Sequence, residues 1–126
     1  MKNERRFSIC SHCGNLISFI KNAGPPVICC GEKMQDLKPN TTDAAQEKHV
    51  PKIERKDNKL IVTVGSVPHP MTEEHHIAWI VAADGERTQR VALSNTQAPS
   101  VEFYISGDSV TVYGYCNLHG LWSAQG

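Results

Sequence analysis

The chain has 126 residues, and thirteen Lys plus Arg balance thirteen Asp plus Glu, so its net charge is zero with neutral histidines. That balance lacks the basic footprint of general nucleic-acid binding, and no run approaches the roughly eighteen apolar residues of a membrane span. The charged start Met1-Lys2-Asn3-Glu4-Arg5-Arg6 has no apolar stretch behind it and does not read as a signal peptide, so we expect a soluble, cytoplasmic protein.

Residues 1–37 read as a first unit. Its apolar stretches, Leu16-Ile17-Ser18-Phe19-Ile20 and Pro26-Val27-Ile28, each lie beside a cysteine pair. A segment this short buries too little apolar surface to fold unaided and needs a staple. Four of the five cysteines are here, as Cys10-Ser11-His12-Cys13-Gly14 and Cys29-Cys30-Gly31. An odd cysteine count, C-x-x-C spacing and no export signal favour metal over disulfides. Gly14 permits the positive φ that turns backbone N–H groups toward sulfur. Four thiolates suit tetrahedral zinc or iron, and spacing alone puts zinc ahead. His12 reads as a solvent-facing residue. Neighbouring side chains on a strand point to opposite faces, so Cys29 and Cys30 share a metal only across a bend. This adjacent pair after Cys10-x-x-Cys13-Gly14-Asn15 resembles desulforedoxin, a small iron protein, and that resemblance implies iron.

Residues 38–48 are polar and read as a linker, with one helical turn near Ala44 and Ala45. From His49 onward the pattern is β. Runs at 59–64, 76–82, 91–93, 101–105 and 110–116 are separated by the turn signals Lys56-Asp57-Asn58, Asp84-Gly85 and Ser106-Gly107-Asp108. Short strands so punctuated predict a sandwich or barrel.

Five of the six histidines fall at or after residue 49. Pro68 and Pro70 restrict the backbone around His69. Cys116 and His119 stand at the end of an apolar strand, with Gly120 leaving room for a turn. His75 and His76 face opposite ways if they begin a strand. Placing Ile77, Trp79 and Val81 on the interior face with His75 makes His75 the ligand and His76 the surface residue.

Glu47-Lys48-His49, His69-Pro70-Met71 through His75, and Cys116-Asn117-Leu118-His119-Gly120 together resemble the neelaredoxin-like catalytic domain of superoxide reductases. With the desulforedoxin segment, the resemblance to desulfoferrodoxins spans essentially the whole chain in order. It implies a mainly β protein, with a small metal-stapled desulforedoxin-like domain (1–37), a linker (38–48) and an immunoglobulin-like β-sandwich (49–126). It implies two irons, one held by Cys10, Cys13, Cys29 and Cys30. The second would have His49, His69, His75 and His119 as equatorial ligands and Cys116 as axial thiolate. It further implies superoxide as substrate, hydrogen peroxide as product, a rubredoxin-like electron donor, a homodimer, and a first iron that related enzymes do without.

Without the resemblance, Glu47 and Lys48 read as a solvated charge pair. With it, Lys48 becomes the electrostatic guide for anionic superoxide and an aid to protonation through water, and Glu47 a candidate sixth ligand to oxidised iron. Lys52, Arg55, Lys56 and Lys59 would add a positive field interrupted by Glu54 and Asp57. Two other classes compete. A cupredoxin-like carrier would need an axial Met after Cys116, and the methionines are Met1, Met34 and Met71. A zinc-ribbon module would leave the histidines and Cys116 idle.

Overall fold

The computed structural model describes residues 4–126 except 86 and 106. Residues 1–3 of the charged start and Ser106 of the third turn signal lie outside the described residues. In the first third, β1 (Phe7–Ile9) pairs antiparallel with β2 (Leu16–Ser18) and β5 (Gln35–Asp36), while β3 (Ile28–Cys29) and β4 (Glu32–Lys33) form a separate hairpin. Cys30 and Gly31 connect that hairpin with φ of 53° and 76°. Two left-handed residues form the tight turn that matches strand twist, and this is the bend that adjacent cysteine ligands require.

The polar segment ends in one turn of helix, α1 (Gln46–His49), with Ala45 in extended conformation as its N-cap. The turn therefore begins just after the two alanines rather than on them. Seven strands follow: β6 (Pro51–Lys56), β7 (Lys59–Val64), β8 (Ile77–Asp84), β9 (Arg87–Ala92), β10 (Ser100–Tyr104), β11 (Thr111–Cys116) and β12 (Gly120–Gln125). They form two antiparallel sheets, ordered β10-β7-β6 and β12-β11-β8-β9. This is the mainly β sandwich expected. The five expected runs all appear as strands; β6 and β12 are additional. Both are edge strands, and β6 (Pro51-Lys52-Ile53-Glu54-Arg55-Lys56) is charged and largely exposed. Edge strands carry such charges to avoid pairing with other chains, which hides β6 from a search for apolar runs; β12 carries no charge, and its buried Leu121 and Trp122 are adjacent rather than alternating.

Between the sheets, Leu60, Val62 and Val64 of β7 meet Val101 and Phe103 of β10, Ile80 and Ala82 of β8, and Val112 and Cys116 of β11. The opposite face of the four-stranded sheet is also covered. There Val81, Ala83, Tyr113 and Leu121 pack with Phe7, and Leu16, Leu37, Trp79 and Tyr115 flank them. Phe7 is 2% exposed, a burial worth about 1.5–3 kcal/mol. The first unit thus gains an apolar seat as well as its cysteines.

One expected face needs correction. Tyr115 pairs with Trp79 but Cys116 pairs with Ile77, so β8 carries an extra residue at this point. Such a bulge breaks the strict alternation of faces. Ile77 packs in the sandwich core, whereas Trp79 and Val81 face the N-terminal unit. The three do not share a face.

Candidate metal centres

The first centre gathers Cys10, Cys13, Cys29 and Cys30, whose sulfurs all lie within 4.8 Å of one another. Gly14 has a φ of 81° and donates its N–H to the Cys10 carbonyl at 3.0 Å. The N–H groups of Cys13 and Asn15 approach the sulfurs of Cys10 and Cys13 at 3.5 Å each. The Cys13 N–H draws the Cys10 thiol down to about 6. Hydrogen bonding with Cys13 pushes the Cys30 thiol up to about 12, with Cys10 adding to the effect. Cys10 ionises readily while Cys29 and Cys30 resist it, so gathering four thiolates here calls for a cation among them. The residues fit a metal. His12 stands outside the sulfur group, pairing with Glu32 at 3.1 Å, and is exposed.

The second centre lies at one end of the sandwich, where four imidazoles form a square. Ring centroids are 4.7 Å apart for His49 and His69, 4.5 Å for His69 and His75, 5.0 Å for His75 and His119, and 4.9 Å for His49 and His119. The diagonal from His49 to His75 is 6.3 Å. Four separate pieces of backbone supply these rings: α1, the 65–70 loop, the 72–76 loop and the turn after β11. His49, His75, Cys116 and His119 each offer a ligand atom within 4.8 Å of the others'. The Cys116 sulfur is 3.8 Å from Nδ1 of His119.

The tautomers show what this square is for. Nδ1 of His49 donates to the Ala45 carbonyl at 2.7 Å, and Nδ1 of His69 donates to the Pro70 carbonyl at 2.7 Å. Each ring therefore keeps an unprotonated Nε2, and these two atoms face each other at 3.2 Å. Two lone pairs this close repel unless a cation sits between them, and backbone carbonyls commonly orient metal-binding histidines in this way. Nε2 of His75 is buried without a hydrogen-bond partner among the described residues, an arrangement that needs an explanation in a native protein. Burial lowers the pKa of His49 and His75 and takes His69 down to about 4, which keeps these rings neutral and ready to ligate. Cys116 is fully buried. Burial pushes its thiol up, opposed by the N–H groups of Leu118 and His119. A metal fits here too.

His75 enters the square and His76 does not. The His76 ring is half-buried and accompanies the Thr72 carbonyl at 2.9 Å instead. Glu47 and Lys48 are exposed on α1, directly before His49. Of the further cations, Lys52 pairs with Glu54 at 3.3 Å, Lys59 with Glu102 at 3.9 Å, and Arg55 donates to the Gly107 carbonyl at 2.8 Å.

Two supporting residues were not singled out from sequence. Trp122 stacks on His49 at 5.0 Å, and its indole N–H donates to the His119 carbonyl at 3.1 Å. Its spacing three residues after His119 was the available signal. Gly65 touches α1 so closely that a Cβ would lie 2.6 Å from the Glu47 carbonyl oxygen and 3.0 Å from the Lys48 carbonyl carbon. Gly65→Ala must therefore push α1 away. We expect a cost of about 1–3 kcal/mol and weaker metal retention at this centre with the cysteine centre unchanged. Thermal unfolding and metal analysis of the variant check this.

The desulfoferrodoxin family model matches residues 41–125. The desulfoferrodoxin of Nitratidesulfovibrio vulgaris is 46% identical over 126 residues, covering 99% of each chain. A superoxide reductase from Treponema pallidum superposes with a TM-score of 0.79 at 38% identity, covering 96% of this chain and 98% of that one. A superoxide reductase (1Fe-SOR) from Giardia intestinalis gives a TM-score of 0.58 at 28% identity, covering 64% of this chain but 97% of that one.

Proposed function

The chain belongs to the desulfoferrodoxin family, and from that premise we propose that it is a superoxide reductase with two iron sites. The observation that carries this reading is the square of four neutral imidazoles with Cys116 beside it. Iron held by these residues would supply the one electron that, with two protons, converts superoxide to hydrogen peroxide. The protein's own groups prepare the reaction. The carbonyls of Ala45 and Pro70 fix two tautomers so that lone pairs point inward. Trp122 holds the His49 ring by stacking. Cys116, buried at the end of β11, keeps a soft anionic ligand away from water, and thiolate donation tunes iron as axial ligands do in haem proteins.

In the same reading, His49, His69, His75, His119 and Cys116 are the ligands of the catalytic iron, and Cys10, Cys13, Cys29 and Cys30 hold the other. Residues 1–37 form the small iron domain, 38–48 the linker and 49–126 the catalytic domain. Lys48 would guide superoxide by its charge, and Glu47 would be a candidate ligand for the iron in its oxidised state. Electrons come from a rubredoxin-like donor. The protein works in the cytoplasm, where five free cysteines stay reduced for metal binding. Among the described residues, no helix is long and apolar enough to cross a membrane. A homodimer through the first unit accounts for exposed Ile20, Val27 and Ile28.

Metal analysis of protein purified under iron-replete conditions, with visible spectra before and after mild reduction, tests the two-iron reading. We expect two irons per chain with separate oxidised bands. Stoichiometric zinc at the histidine centre would refute it.

A further inference from the structure

We infer that Asn117 is a positioning residue for the histidine centre, locking the loop that carries His75 onto the turn that carries Cys116 and His119. The inference rests on the reading of that centre as an iron site. Asn117 has no place in the square, yet it lies between two of the proposed ligands and grips the chain on both sides of a third. Its side-chain Nδ2 donates to the Glu74 carbonyl at 2.9 Å. Its Oδ1 accepts the His76 backbone N–H at 2.9 Å. Its own backbone N–H donates to the His76 carbonyl at 3.2 Å.

The need for such a lock follows from the fold. The pairing of β8 with β11 shifts register at Tyr115 and Cys116, so the regular ladder is broken just where the ligands begin. The 72–76 loop is shaped internally, because the Thr72 N–H donates to the His75 carbonyl at 2.9 Å and the His75 N–H donates to the Thr72 hydroxyl at 3.0 Å. Those bonds give the loop its form but not its position against β11. Among the described residues Nε2 of His75 has no partner to aim the ring, so the ring's direction is inherited from its backbone. The Asn117 bonds carry the β8–β11 pairing past the bulge and set that backbone. The carboxamide donates to the Glu74 carbonyl and accepts from the His76 N–H at once. Aspartate keeps the acceptor and loses the donor.

The test uses the purified iron-loaded protein and its Asn117→Ala and Asn117→Asp variants. Iron loss to a competing chelator is followed at each centre through its own visible band, beside thermal unfolding. Outer partners of metal ligands typically contribute roughly 10–100-fold to metal affinity, and Asn117→Ala should weaken retention at the histidine centre by that factor. It should also shift that centre's oxidised band and leave the cysteine centre unchanged. Asn117→Asp should fall between wild type and Ala. Ser123→Ala, which removes a 3.2 Å surface hydrogen bond to Asn40 in the same sheet, should move neither band and gives the comparison for ordinary structural loss. Wild-type retention and spectrum in Asn117→Ala would overturn the inference. So would equal loss from both centres in the two Asn117 variants, which is what general unfolding produces. If wild-type protein shows no iron band at the histidine centre, the functional reading falls first and the inference falls with it.

Discussion

Cys116→Ser should abolish superoxide turnover, whereas Cys13→Ser should leave much of it. Cys116 is fully buried in the sandwich core, with its sulfur against the histidine square. Serine there presents a hydroxyl that stays protonated at neutral pH, so the centre loses its anionic soft ligand and the charge it donates. No nearby group takes that place, since the other four cysteines belong to the first centre. Cys13 is exposed and belongs to the cysteine centre, which the family resemblance implies related enzymes do without. The first unit also keeps its seat on the four-stranded sheet through Phe7, Leu16 and Leu37, so losing one thiolate there does not disturb β11. Stopped-flow oxidation of the reduced proteins by superoxide measures both. Equal loss in the two variants would contradict the division of labour between the centres.

Lys48→Ala should slow the second-order reaction with superoxide by about tenfold, the low end of what steering fields achieve, and leave iron content unchanged. Lys48 is exposed beside His49, and its positive charge adds to the burial that lowers the pKa of His49 and His75. Its field therefore reaches the square. Among the described residues Lys48 makes no ion pair, unlike Lys52 and Lys59, which are paired with Glu54 and Glu102. The contribution of those more distant lysines is reduced accordingly. Salt should slow the wild-type reaction, because the Debye length is about 8 Å at physiological ionic strength, and the variant should respond less. Glu47→Ala should alter the oxidised spectrum without slowing the first encounter. Pulse radiolysis across a salt series decides. A wild-type rate and salt slope in Lys48→Ala would reduce Lys48 to an ordinary surface charge.

Much of the site was legible because metal chemistry restricts residue type and local spacing. The C-x-x-C knuckle, the glycine with positive φ and the adjacent cysteine pair are short-range features, and each has the backbone form expected of it. The structure brings the His75 ring into the square and leaves His76 outside it, but the expected face pattern behind that choice does not hold. It assumed unbroken alternation along β8, and the bulge opposite Cys116 reverses the faces after Ile77. A bulge is decided by pairing with another strand, so no pattern within residues 75–82 reports it. The edge strands β6 and β12 were missed as well. Charge hides β6, whereas β12 has buried Leu121 and Trp122 side by side instead of a clean alternation, and only its pairing with β11 reveals it as a strand.

The sequence by itself determined the ligand chemistry: which side chains donate, how soft they are, and that each cysteine pair turns back on a tight bend. Those properties reside in single residues and their near neighbours. Tertiary structure alone decided the square, the tautomers and the clamps. His49 and His119 are seventy residues apart, yet their nitrogens approach to 3.1 Å, because two sheets deliver α1 and the turn after β11 to the same end of the sandwich. Trp122 beneath His49, Gly65 against α1 and Asn117 across the bulge act through distances of a few ångströms between distant segments. Such distances exist only once the sheets have paired and the core has closed.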